Sequence, residues 1–208
     1  MRKKLLIFLI FLIVLIVLFL IRILFIDMRL EKTINNTINK INDNDYKIAL
    51  TLKNEGLVSQ KIKYEELKYI NTYQFINKIY TNDTLEKTNT SYYDNNTYYY
   101  KVNNSFKTKE VKDINEIKDF KIDLNKIFNM KTFKRSYKHN NKTYYIVNMK
   151  SKDIFSLIYG NSNNKDNSVK VTLVCDDYKL EKISFKDEDI KVNLKIEFTL
   201  QEISLPNN

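Results

Sequence analysis

Apolar and polar residues alternate without a slip through IKVNLKIEFTLQ, close to the end of the chain. Ile190, Val192, Leu194, Ile196, Phe198 and Leu200 share one parity, and Lys191, Asn193, Lys195, Glu197, Thr199 and Gln201 share the other. Period-2 alternation of this length predicts a strand with one dry and one wet face. VKVTLVC repeats it, with Val171, Leu173 and Cys175 together. YKIALTL aligns Ile48, Leu50 and Leu52, and TYYYKV aligns Tyr98, Tyr100 and Val102. Strand composition, rich in Tyr, Ile, Thr and Phe, marks Lys68 to Tyr80 and Thr84 to Tyr93. SFKTKEV, TFKRSYK, KTYYIVNM and YKLEKISFK complete the set of predicted strands. Polar clusters at Asn82-Asp83, Asp94-Asn95-Asn96, Asn103-Asn104, His139-Asn140-Asn141, Asp176-Asp177 and Asp187-Glu188-Asp189 predict hairpin turns. Leu180 and Ile183-Phe185 have opposite parity, which predicts a bulge.

Three segments change period. Leu30, Ile34, Ile38 and Ile41 form one face of a helix that Asn42-Asp43-Asn44-Asp45 ends. Asp113, with Glu116 three residues on, reads as the N-cap of a helical insertion. The insertion carries Ile114, Ile117, Phe120, Leu124, Ile127 and Phe128, with a break near Ile122. SKDIFSLIYG predicts a short helix capped by Ser151 and stopped by Gly160. Consecutive strands joined by tight polar turns make an antiparallel sheet, and the helices are left to cover its apolar face, an α+β arrangement.

The front of the chain decides location. After MRKK, apolar residues run unbroken from Leu5 to Ile21 and resume from Ile23 to Ile26 beyond Arg22, which can snorkel to the interface. About 20 such residues cross the hydrocarbon core. No Ala, Gly or Ser occurs from Leu5 through Asn35, so a signal-peptidase site is missing and an uncleaved signal-anchor is expected. The basic cluster before the span keeps the N-terminus in the cytoplasm and places the rest outside. The expected domains are therefore 1–29, a cytoplasmic tip and transmembrane anchor, and 30–208, an extracytoplasmic α+β domain. The predicted location is the cell membrane, single-pass.

The formal charge of +10 leans on Arg2, Lys3, Lys4, Arg22 and Arg29 around the span. The remaining excess is scattered, with no basic stripe for nucleic acid. Cys175 is the one cysteine and reads as a small buried hydrophobe. The one histidine, His139, falls in a predicted turn. No phosphate loop, dinucleotide fingerprint, nucleophile elbow or zinc motif occurs, so no catalytic or metal-ligating residue is assigned, no cofactor is expected, and a non-enzyme is expected. Asp176-Asp177 and Asp187-Glu188-Asp189 are assigned to turn chemistry rather than to a cation. The run Tyr92, Tyr93, Tyr98, Tyr99 and Tyr100 suits a half-buried sheet face.

The order of elements resembles the LolA/LppX-like envelope proteins, half-barrels that hold acyl chains between a curved sheet and its covering helices. KTYYIVNM, VKVTLVCDDYKLEKISF and IKVNLKIEFTLQEI, between Lys142 and Ile203, follow the pattern of that family's last strands. TYYYKVNNSFK is similar to its aromatic hairpin, with Phe106 where a Trp is expected. The resemblance implies a half-barrel with covering helices. It also implies an apolar ligand, a lipid or lipoprotein acyl chain, on a dry face that the alternation assigns to Ile190, Val192, Leu194, Ile196, Phe198, Leu200, Val171 and Leu173. Carriers of that family are free or lipid-tethered, whereas this chain is held by a helix, which points to sensing or local hand-off. The alternative reading is a non-enzymatic module that docks other envelope proteins through its sheet edge or tyrosine surface.

Overall fold

The computed structural model of the chain describes residues 2–129, 134–159, 167–198 and 202–206. Its first element, α1 (Arg2–Asp43), is one unbroken helix of 42 residues, so no break separates the anchor from the amphipathic helix expected after it. At 1.5 Å per residue it is roughly 63 Å long. Its two halves have opposite surroundings. From Leu6 to Ile21 every side chain is exposed, and no described residue covers them. From Leu30 onward, Leu30, Thr33, Ile34 and Thr37 are buried against the sheet.

Eleven antiparallel strands form one curved, unclosed sheet. β1 (Tyr46–Asn54), β2 (Gln60–Tyr69), β3 (Thr72–Thr81), β4 (Thr84–Asp94), β5 (Thr97–Val102) and β6 (Ser105–Glu110) meander to one edge. β7 (Lys134–His139), β8 (Lys142–Lys150), β9 (Ser168–Asp176), β10 (Lys179–Asp187) and β11 (Ile190–Glu197) start from the other edge. The two series join where β11 pairs with β1, with Leu194 opposite Leu50. The edges are β6 and β7, and the chain between them must cross the open side of the curve. In crossing, it lays Val111, Phe120, Leu124 and Ile127 on the core. α2 (Ser151–Tyr159), between β8 and β9, adds Ile154, Leu157 and Ile158 to the same cover.

Turn chemistry explains the meander. Asn82-Asp83, Asn95-Asn96, Asn103-Asn104 and Asn140-Asn141 all have positive φ at both positions, as two-residue hairpin turns of the twist-matching kind require. Three expectations need correction here. Lys68 to Tyr80 is not one strand: Ile70, at φ 57°, turns the chain between β2 and β3, and its N–H donates to Asp45 Oδ1 at 2.6 Å. His139 is not in the turn but ends β7, 6.4 Å from the Tyr144 ring. At the next hairpin the turn pair is Asp177-Tyr178 rather than Asp176-Asp177.

The insertion also differs from expectation. Asp113 is an N-cap, accepting from the Asn115 N–H, but it opens only a single 3-10 turn, Ile114–Glu116, and a second spans Leu124–Asn129. The reason lies in α2. A helix ends with carbonyls that have no partner of their own. Lys121 N–H donates to Ile158 O and Asp123 N–H to Leu157 O, each at 2.9 Å, so around Ile122 the insertion caps its neighbour instead of continuing a helix. The predicted bulge is present between Leu180 and Lys182. There the Leu180 N–H donates to the Thr37 hydroxyl at 2.8 Å and ties β10 to α1. Gly160, expected to stop α2, lies outside the described residues.

Candidate functional site

The concave face has an apolar half and a polar half. Val171 and Leu173 on β9 and Val192 and Leu194 on β11 point the same way, as their parity requires, and all four are almost fully buried. With Ile183 and Phe185 of β10 between them on the same face, and Ile154, Leu157, Ile158 and Ile127 over them, they surround a space of only about 10 Å³. A cavity of that size is about the least that a single water molecule needs. The remaining predicted residues stand apart from it. Ile190 is partly buried at one end of β11. Ile196, buried, and Phe198, partly buried, lie at the other end on a separate cleft, with Phe198 5.6 Å beneath Lys40 Nζ. Leu200 lies outside the described residues.

The polar half was not legible in the sequence. Glu66 on β2 sits beside Ile48 and Phe75, facing inward and 2% exposed. A carboxylate there must be matched, because an uncompensated buried charge is costly. Tyr46 donates its hydroxyl to Oε1 at 2.6 Å, Tyr64 to Oε2 at 3.2 Å, and Lys118 of the insertion gives its ammonium to Oε1 at 2.7 Å. Burial first, and then the Glu66 charge, hold both phenols well above the usual tyrosine range. This cluster fastens the insertion to the sheet from inside. The pair EE at Glu65-Glu66, breaking an otherwise alternating strand, is the signal that could have flagged it.

A second carboxylate fastens α2. Asp187, expected as turn chemistry, is buried at the end of β10. It accepts from the Ser151 hydroxyl and from Asn167 Nδ2 at 2.8 Å. Ser151 therefore anchors the start of α2 to β10. The tyrosine run is structural in part: Tyr93 packs edge-on to Tyr73 at 6.1 Å, and Tyr98 stacks on Tyr100 at 5.5 Å.

Cys175 is buried, and burial pushes its thiol up from 9.0 to about 12. The folded state keeps the proton more tightly than the unfolded state. Its contribution to stability is therefore complete below about pH 9 and is lost as the pH rises toward 12. Alkylation by iodoacetamide at pH 8 should be negligible in the native chain and complete in denaturant, because the thiolate is the nucleophile. Rapid labelling under native conditions would place the thiol outside the core.

No family model matches the sequence, and none of the curated proteins is significantly similar to it. Solved structures are similar in fold. LprF from Mycobacterium bovis aligns over 87% of this chain and 95% of its own length, at a TM-score of 0.54 and 9% identity. The lipoprotein LppX of Mycobacterium tuberculosis aligns over 86% of this chain and 98% of its own, at a TM-score of 0.50 and 7% identity. The chain has a LolA/LppX-like fold, an α+β half-barrel with an apolar helix at its N-terminus.

Proposed function

We propose that the chain is a single-pass membrane protein of the cell envelope whose half-barrel takes up an apolar ligand, a lipid or the acyl chain of a lipoprotein. Residues 1–29 form the anchor and 30–208 the extracytoplasmic domain, and the chain acts by binding rather than by catalysis. The observation that carries this reading is how the concave face is covered. Its dry side is closed by a thin layer, α2 and the insertion, held at two buried carboxylates, Asp187 and Glu66. The shared fold with LppX, a lipoprotein, supports the same reading.

The space of about 10 Å³ is too small for an acyl chain. A ligand enters by taking the place of the covering side chains, so loading and opening are one equilibrium. Val171, Leu173, Val192 and Leu194 would line the opened floor, with Ile190, Ile196 and Phe198 towards its ends. The filled interior also favours a second reading, an interaction module that docks other envelope proteins and never opens.

One measurement separates the two. A fluorescent fatty acid added to the purified chain should bind saturably and be displaced by an unlabelled one. An absence of binding, together with no lipid in a mass spectrum of the purified protein, leaves the docking module. The topology has its own test. Protease added to intact cells should remove the domain, and a domain digested only after lysis would reverse the orientation.

A further inference from the structure

A hollow lies where α1 leaves its exposed apolar stretch. It is an open groove of about 570 Å³ between α1 and the β7–β8 edge. Phe25, Ile26 and Met28 of α1 form one wall, and Tyr137 and Tyr145 belong to the sheet side. Four cations also line it: Arg22, Arg29, Lys32 and Lys138. None of the four is in an ion pair among the described residues, and no carboxylate lines the groove. Arg29 and Lys32 lean over the Tyr178 ring at 5.9 and 5.5 Å, which gathers both charges at one wall.

This is an amphiphile's complement: apolar surface beside positive charge. We infer that the groove holds an anionic phospholipid drawn from the membrane that α1 crosses. Arg22 directly follows the apolar run, so it lies at the level of the headgroups. Lys32, ten residues further along, is roughly 15 Å farther out. A lipid in the groove is thus lifted part-way out of its leaflet, with its phosphate among Arg29, Lys32 and Lys138 and its chains along Phe25 and Met28. An adjoining recess of about 100 Å³ shares Arg29, Lys138 and Tyr145 with the groove and reaches Cys175 and Asp177. The groove therefore leads from the membrane surface toward the core. The inference rests on the reading of α1 as a membrane span, not on an opened interior.

The test uses the full chain, purified in a neutral detergent, stripped of lipid and titrated with phosphatidylglycerol or phosphatidylcholine under native mass spectrometry. The parent should prefer phosphatidylglycerol. The double variant Arg29→Gln/Lys32→Gln should weaken phosphatidylglycerol binding by roughly tenfold or more and phosphatidylcholine binding distinctly less, since each basic residue at a membrane surface contributes appreciably to holding a net anion. Met28→Trp fills the groove from an exposed helix position without altering charge, and should weaken both lipids. Lys3→Gln/Lys4→Gln, at the other flank of the span, should change neither. Equal affinity of the parent for the two lipids, equal loss in the two double variants, or no effect of Met28→Trp would overturn the groove. If alkaline carbonate strips the chain from membranes, the span itself fails. If the chain stays embedded and the groove variants bind like the parent, only this inference fails.

Discussion

Leu194→Ala will lower the stability of the folded chain by roughly 2–5 kcal/mol, read as a shift in the urea midpoint at constant slope. Leu194 is 1% exposed, faces Leu50 and Ile183 on the flanking strands, and borders the space of about 10 Å³. The neighbours are already in contact, so truncation leaves a new cavity rather than enlarging an old one. Leu194→Asp will be worse, because an unpaired charge among aliphatic side chains costs several kcal/mol. Lys195, one residue on, supplies the control. It is exposed on the opposite face and pairs with Glu197 at 3.1 Å. Lys195→Ala should change stability by no more than about 0.5 kcal/mol. A loss near 1 kcal/mol for Leu194→Ala would mean that the side chain lines open space and that the closed packing is wrong.

Lys118→Met will cost roughly 3–5 kcal/mol, because it leaves the Glu66 carboxylate buried without its cation. Lys118 reaches the sheet from the insertion, so the damage falls on the cover rather than on the strands. Glu66→Leu alone also leaves Lys118 and two tyrosine hydroxyls without an acceptor. The double variant should recover much of the loss, since an apolar pair of similar volume often does as well as a buried ion pair. The coupling in this double-mutant cycle measures the latch. It also ties the latch to function. If the cover excludes the ligand, Lys118→Met raises the open fraction, and a fluorescent fatty acid binds more tightly to the variant than to the parent. Equal or weaker binding in a folded variant would separate the latch from ligand entry.

The hairpins and the apolar strands were legible because their signals are local. Two adjacent Asn residues specify the turn at each of three hairpins, Asn-Asp that of a fourth, and a period of two specifies the face that β9 and β11 bury. β2 was not legible, because its inward position is occupied by Glu66, and a charge at a core position reads as a wet face. Its burial makes sense only once β1 brings Tyr46 alongside, β2 itself supplies Tyr64, and a segment 52 residues downstream supplies Lys118. The insertion carried helical spacing but formed only two short 3-10 turns, because two of its N–H groups between them cap α2 instead of closing a turn of their own.

From the sequence alone came the apolar N-terminal helix, the antiparallel α+β class, the resemblance to half-barrel envelope proteins and the four residues that meet at the centre of the dry face. Each of these rests on neighbours in sequence, where periodicity and turn geometry act directly. Tertiary structure decided the rest: that α1 runs unbroken from its exposed apolar stretch into the core, that β11 closes on β1, and that two buried carboxylates fasten the cover. It also decided that the predicted floor is packed shut while the open hollow lies beside α1. Those features depend on which distant segments share space, and a charge or an alternation carries no record of its partner across the fold.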